Sequence, residues 1–247
     1  MRRAPISAAD VLTVGNGVCG FLALAVLAGV WLVEPGAGLE HRELVACLLL
    51  YGIGMSCDVL DGPVARRFGS SGLGSGLDTI SDTVTFGALP AMLLLARLGE
   101  DDAWTGLALA VACLYVAATI VRLARQSSLE QARADALARG AVDTGSPPFT
   151  GMPSPVGGNC VLAIVVLAPP PLISIGVVVL VAVLLVADYP YPNNKSLVGA
   201  GFVAALLAAS FAALAGIISL DIPSAIALVG LLPVAVVRAT RRLVHGR

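Results

Sequence analysis

Residues 43–97 read ELVACLLLYGIGMSCDVLDGPVARRFGSSGLGSGLDTISDTVTFGALPAMLLLAR. Two apolar runs, 43–61 and 78–97, flank a polar, glycine-rich turn. Each is close to the ~20 residues that an α-helix needs to cross the hydrocarbon core of a bilayer. The acids sit where the runs meet the turn. Asp58 and Asp61 close the first run, Asp78 and Asp82 open the second, and no other acid lies between 58 and 82. A charged residue near the membrane centre costs roughly 2.5–3.5 kcal/mol, so four of them demand compensation. Asp58 and Asp61 are spaced i, i+3, and Asp78 and Asp82 i, i+4, so each pair shares one helix face. Gly69, Gly72, Gly74 and Gly76 let the chain turn back on itself. The expected result is two neighbouring helices whose carboxylate pairs face one another at one end.

The rest of the chain has the same character. Of 247 residues, 57% are hydrophobic and 13% charged, and the mean hydropathy is +0.92. A soluble domain is less apolar and about a quarter charged, so this class is excluded. Disorder, collagen and a disulfide scaffold go with it. Further apolar runs at 11–33, 103–123, 155–168, 172–187, 197–219 and 222–238 predict an all-α, polytopic membrane bundle of about eight helices. It forms one integral-membrane domain over 1–247, with no room for a separate soluble one. Runs five and six meet at Pro169-Pro170-Pro171 and read as a helical hairpin. The alternative, one long span, would carry three prolines inside a helix at about 3 kcal/mol each. Loop 126–150 is polar through Gly140 and is expected to hold a short amphipathic interfacial helix ending there, as a surface connector or a gate.

Sidedness follows the basic residues. With both termini cytoplasmic, thirteen of the fifteen Lys and Arg fall on the cytoplasmic side, and only Arg42 and Arg97 on the other. The acid cluster is then cytoplasmic, in a protein of the cell membrane. The Arg2-Arg3 start also resembles a signal peptide, but Gly15-Asn16-Gly17 interrupts its apolar run and more spans follow. The net charge of −1 gives no sign of a nucleic-acid partner, and none is expected.

Hard oxygen ligands at this density suit Mg²⁺ or Mn²⁺, with substrate phosphates completing the shell. Cys19, Cys47, Cys57, Cys113 and Cys160 have no metal-ligand spacing and read as small hydrophobes, and His41 and His245 lie in a loop and in the basic tail. Gly62 leaves no side chain between the helix and a ligand, and Pro63 is tolerable near the end of a span. Ala65 is also small. Arg66 falls on the side of the first acid pair, placed to meet a phosphate or offset the acids, whereas Arg67 reads as an interfacial anchor. A solvated loop, or the site of a cation channel or cation-coupled transporter, is the competing reading of the cluster. Transporters commonly carry related halves, and the acid hairpin occurs once.

Asp58-x-x-Asp61-Gly62-x-x-Ala65-Arg66, seven residues, then Gly74-x-x-x-Asp78-x-x-x-Asp82 resembles the signature of the CDP-alcohol phosphotransferases. The likeness extends along the chain and is greatest to the phosphatidylserine synthase branch. DVLTVGNGVCGFLAL at 10–24, Phe86-Gly87-Ala88-Leu89-Pro90-Ala91, Arg122-Leu123-Ala124-Arg125, Phe149 to Pro155 and Asp188-Tyr189-Pro190-Tyr191-Pro192 are each similar to that branch. Gln126 stands where Phe-Asn follows there, and Gly157-Gly158-Asn159 replaces an Ala-rich start of span five.

The resemblance implies transfer of a phosphatidyl group from CDP-diacylglycerol, or its ether-lipid equivalent, to L-serine or another small alcohol, with release of CMP. The other acceptors would be glycerol phosphate or an inositol phosphate. It implies a catalytic core over about 10–190, two extra spans over about 197–238, and a homodimer. Two Mg²⁺ or Mn²⁺ ions would be held by Asp58, Asp61, Asp78 and Asp82, with Asp82 as the base on the attacking hydroxyl. Gly62, Ala65, Arg66 and Gly74 would line the CDP-lipid. Thr13 and Asn16, on one face of span one, would meet the nucleotide end, with helix-to-helix hydrogen bonding as the other reading. Arg122 and Arg125, spaced i, i+3, would hold a phosphate or the acceptor, or else anchor the interface.

Overall fold

A computed structural model describes residues 6–33, 39–69, 71–99, 101–140, 151–188 and 219. Both termini, the loop at 141–150 and the two spans expected at 197–219 and 222–238 lie outside the described residues, apart from Ser219. Among the described residues all regular structure is helical. The helices are α1 (Ala8–Val33), α2 (His41–Phe68), α3 (Gly74–Asp82), α4 (Leu89–Leu98), α5 (Asp102–Ala138), α6 (Ser154–Leu167) and α7 (Pro171–Val186), with a π-helical segment, Thr83–Ala88, joining α3 to α4. α1, α2, the continuous run Gly74–Leu98, and α5 are long and apolar enough to cross a membrane. At 1.5 Å per residue, α6 and α7 are about 21 and 24 Å long, short of the ~30 Å core.

An apolar core is buried between the helices, but the outer surface is apolar as well. Val18, Phe21, Leu109, Ile173 and Val183 are exposed, whereas Thr13, Asn16, Asp82, Thr85 and Arg122 are buried. Apolar residues on the outside and polar ones within suit a bundle that faces lipid. α1 packs along α2 and also against α3 and the π segment; α5 packs against α4 and α7.

Glycines set how closely α1 approaches. A Cβ at Gly17 would lie 2.9 Å from Ser81 Oγ, and one at Gly20 2.5 Å from Thr85 Oγ1 and 2.9 Å from Thr85 Cα. Only residues without a side chain let the backbones meet there, the usual device where lipid supplies no hydrophobic drive between helices. Thr85 Oγ1 then donates to the Asn16 carbonyl across the contact, at 2.9 Å.

Several boundaries differ from the sequence expectation, each for a local reason. α2 was expected to end at 61 but runs to Phe68 with Pro63 inside it, stopping at Gly69, whose φ is +92°. Pro63 is exposed at the helix end, where a freed carbonyl meets solvent. The π segment begins directly after Asp82, with the Leu89 N–H bonded to Val84 O, five residues back. Pro90 has no N–H for the carbonyl of Phe86, four residues earlier. The buried Tyr115 hydroxyl donates to that oxygen instead, at 2.6 Å. Tyr51 packs its ring edge-on to Phe86 at 5.6 Å and donates to Pro155 O.

The predicted loop after residue 125 is helix instead. α5 continues unbroken to Ala138, because QSSLEQARADALA holds neither Gly nor Pro. The turn at Arg139-Gly140, with Gly140 at φ +90°, ends it where the amphipathic segment was expected to stop. The hairpin of α6 and α7 forms as expected, Ala168 taking the left-handed conformation that ends α6 and Pro170-Pro171 opening α7. Gly151, at φ +81°, lets the chain before α6 pass the end of α7, and the Met152 N–H donates to Leu184 O. Cys47 and Cys160 are buried as small hydrophobes should be, but Cys113 is exposed, and Cys19 and Cys57 are half-buried.

Candidate functional site

α1 packs against both α2 and α3, and the acid-bearing ends of those two helices bring their carboxylates together. One carboxylate oxygen from each of Asp58, Asp61 and Asp78 falls within 4.8 Å of the others. Asp82 is deeper, 6% exposed, and its carboxyl group is within hydrogen-bonding reach of Asp58. All four predicted acids therefore converge.

α1 supplies a partner to each helix. The Thr13 hydroxyl lies 2.8 Å from Asp61 Oδ2 and 3.1 Å from its own-helix acceptor, Ala9 O. Asn16 Nδ2 donates to Asp82 Oδ1 at 3.1 Å. Both side chains are fully buried, so the structure places Thr13 and Asn16 in helix-to-helix hydrogen bonds with the acids. Asn16 Oδ1 is left buried without a partner among the described residues. A Cβ on Gly54 would come within 3.0 Å of it, so the glycine makes room for the amide.

Asp10 and Ser154 belong to this end of the bundle and were not read from the sequence as parts of it. Ser7 and Asp10 cap α1 reciprocally: the Ser7 N–H donates to Asp10 Oδ2 at 2.6 Å, and the Asp10 N–H to Ser7 Oγ at 3.2 Å. The S-x-x-D spacing, a capping-box variant, is a signal that could have found this start. Asp10 also hydrogen-bonds Ser71 in the turn before α3. A Cβ at Gly74 would lie 3.8 Å from Asp10 Oδ1, so Gly74 sits beneath the α1 terminus.

Arg122 reaches the cluster from α5. It is 5% exposed, donates to Ser154 Oγ at 2.9 Å, and interacts electrostatically with Asp82, Asp78 and Asp58. Arg125 points elsewhere, donating to Val186 O at the end of α7 at 3.0 Å. Gly62 and Ala65 are half-buried on α2, while Arg66 is exposed with its guanidinium folded back over Gly62, 3.4 Å from where a Cβ would stand. Small residues and an exposed arginine therefore flank the acids on the α2 side.

The donor set fits a divalent cation. Ligands at ~2.1 Å from an octahedral Mg²⁺ lie about 3.0 Å apart when adjacent and about 4.2 Å when opposite, so three oxygens within 4.8 Å are near enough to draw in around one ion. All are hard carboxylate oxygens, with no thiolate or imidazole among them. Four acids facing one buried arginine also leave an excess of negative charge that a cation would balance.

A family model, CDP-alcohol phosphatidyltransferase, matches residues 6–237. The chain is 30% identical over 186 residues to the CDP-diacylglycerol–serine O-phosphatidyltransferase of Bacillus subtilis, covering 75% of this chain and 89% of that one. It is 31% identical over 151 residues to the protein of that name from Mycobacterium leprae, covering 58% of this chain and 44% of the relative, less than half the relative's length. To the archaetidylserine synthase of Methanothermobacter thermautotrophicus it is 25% identical over 192 residues, covering 76% of this chain and 70% of that one. The match spans α1 to α7 and includes every residue of the acid cluster. The chain belongs to the CDP-alcohol phosphatidyltransferase family, enzymes that transfer phosphorus-containing groups.

Proposed function

We propose that this protein transfers the phosphatidyl group of CDP-diacylglycerol, or of its ether-lipid equivalent, to the hydroxyl of L-serine and releases CMP. The observation that carries the reading is the convergence of Asp58, Asp61 and Asp78 oxygens within 4.8 Å, beside a buried Asp82 and a buried Arg122. The names of the B. subtilis and M. leprae relatives support serine as acceptor. The archaeal relative's name supports an ether-linked donor as the alternative lipid. Glycerol phosphate or an inositol phosphate is the competing acceptor within the same chemistry.

Asp58, Asp61, Asp78 and Asp82 would hold two Mg²⁺ or Mn²⁺ ions. Bound there, such ions would supply the positive charge that offsets the diphosphate and the leaving CMP. Asp82, fixed by Asn16, accepts the proton of the serine hydroxyl as its oxygen bonds to the phosphatidyl phosphorus. The bond from that phosphorus to the CMP oxygen breaks, and CMP leaves with the electron pair. Gly62, Ala65 and Gly74 leave space along α2 and α3 for the CDP group, and Arg66 meets its phosphate. Thr13 and Asn16 orient Asp61 and Asp82 rather than the nucleotide, while Arg122 faces the acceptor and Arg125 ties α5 to α7. The donor keeps its tails in lipid and its cytidine in water, so the site belongs at an interface. We place it at the cytoplasmic face of the cell membrane, on a single-domain protein that acts as a homodimer.

Purified protein in detergent with CDP-diacylglycerol, Mg²⁺ or Mn²⁺ and a panel of alcohols tests the reading through CMP release. Release is expected with L-serine, to be lost on chelation with EDTA and restored by either ion. CMP release only with glycerol phosphate or an inositol phosphate would reassign the acceptor. Undiminished release after chelation would remove the metal from the site.

A further inference from the structure

The face of α5 that carries Arg122 continues beyond the aspartates. Arg122, Gln126 and Glu130 are spaced four apart and form one stripe along the helix. Gln126 Nε2 donates to Glu130 Oε1 at 2.9 Å. This fixes the amide's orientation and leaves Gln126 Oε1 buried, with no partner among the described residues. A buried acceptor without a donor is unfavourable. Glu130 acts electrostatically on both Asp78 and Arg122, so it adds another negative charge to the end of the bundle where four aspartates already outnumber the buried arginine. Like charges repel. Both features turn favourable when a positive group that only donates hydrogen bonds sits against Gln126 Oε1 and the Glu130 carboxylate.

A primary ammonium is such a group, with three N–H donors and no acceptor. We propose that Gln126 Oε1 and Glu130 form the ammonium subsite of the acceptor pocket, so that the enzyme selects an alcohol bearing a primary ammonium. This inference rests on the serine reading above. On that reading Arg122, one turn nearer the aspartates, faces the acceptor's carboxylate, and the hydroxyl lies toward Asp82. Glu130 is exposed, so the ammonium enters from water and does not have to cross the apolar wall of the bundle.

The test compares L-serine with glycerate, in which a hydroxyl replaces the ammonium, and with ethanolamine, which lacks the carboxylate. CMP release is followed for the purified full-length wild type and for Glu130→Gln and Gln126→Leu, after size-exclusion chromatography confirms that each variant is folded. In both variants kcat/KM is expected to fall about tenfold more for serine and ethanolamine than for glycerate, the loss of one charge-assisted contact. The loss should appear in the KM of the amine-bearing acceptors and not in that of CDP-diacylglycerol. Equal losses for serine and glycerate, an unchanged serine KM, or a changed metal requirement in place of a changed acceptor preference would overturn the subsite alone. A wild-type chain active only with phosphate-bearing alcohols would overturn the serine reading together with the subsite.

Discussion

Replacing Asp78 by asparagine is expected to abolish CMP release, by about a thousandfold or more, while the protein remains folded and monodisperse. Asp78 is the one α3 residue whose carboxylate oxygen joins those of Asp58 and Asp61 within 4.8 Å. The amide keeps the size of the side chain and removes the charge that holds a cation. Partners that only orient metal ligands typically cost 10–100-fold when removed, and losing a ligand itself costs more. Thr13→Val is the comparison: it deletes the 2.8 Å hydrogen bond to Asp61 without touching the ligand set, and a loss of about 10–100-fold is expected. Steady-state CMP release across a Mg²⁺ and Mn²⁺ titration separates the two. Thr13→Val activity should recover at high metal, whereas Asp78→Asn activity should not. Asp78→Asn at wild-type activity would defeat the assignment of the acids to a cation.

Replacing Gly20 by leucine is expected to dismantle the bundle. Even a methyl group at this position would meet Thr85 Oγ1 at 2.5 Å and, more seriously, Thr85 Cα at 2.9 Å and Thr85 N at 3.1 Å. A side-chain hydroxyl can rotate away, but backbone atoms cannot. Overpacking of this kind typically costs about 1–3 kcal/mol per site, and leucine adds three more carbons to the methyl. α1 must lift away from the π segment, and Asn16, one turn earlier on the same face, must leave Asp82 with it. Loss of a sharp size-exclusion peak, or a fall in Tm of the detergent-solubilised protein, would record this. Gly29→Leu is the control, since a Cβ there meets nothing within 4 Å, and it should change Tm little. A Gly20→Leu protein as stable and active as wild type would show that α1 does not pack on Thr85.

The helical hairpin at Pro169-Pro170-Pro171 and the four converging acids were legible because local chemistry dictates both. Three prolines cannot lie inside a span, and acids at i, i+3 and i, i+4 must share a face. The course of α5 was not legible in the same way. Polarity after residue 125 marks departure from the membrane, yet leaving the membrane does not end a helix when no glycine or proline intervenes before Gly140. The π segment was hidden for a different reason. Pro90 frees the Phe86 carbonyl locally, but the hydroxyl that meets it, from Tyr115, comes from another helix, and no period within 83–88 announces the segment. Thr13 and Asn16 were found as a pair on one face, but what they face depends on Asp61 and Asp82, 48 and 66 residues away along the chain. Arg122 and Arg125 looked equivalent at i, i+3. The fold separates them, sending one to Ser154 beside the acids and the other to a carbonyl at the end of α7.

The contribution of Arg122 bears on how the chain is made. The acids of α2 and α3 leave the ribosome well before the arginine that faces them, which arrives only with the far part of α5. During synthesis these acids therefore exist for a time without their counter-charge. Asp58 and Asp61 lie in the second half of α2, and Asp78 and Asp82 in the first half of the run Gly74–Leu98, off the middle of either run, where an uncompensated carboxylate costs less until α5 docks. A quartet set off the middle of its helices thus eases biogenesis, because the same acids at mid-helix would oppose insertion more strongly before their partner had been translated.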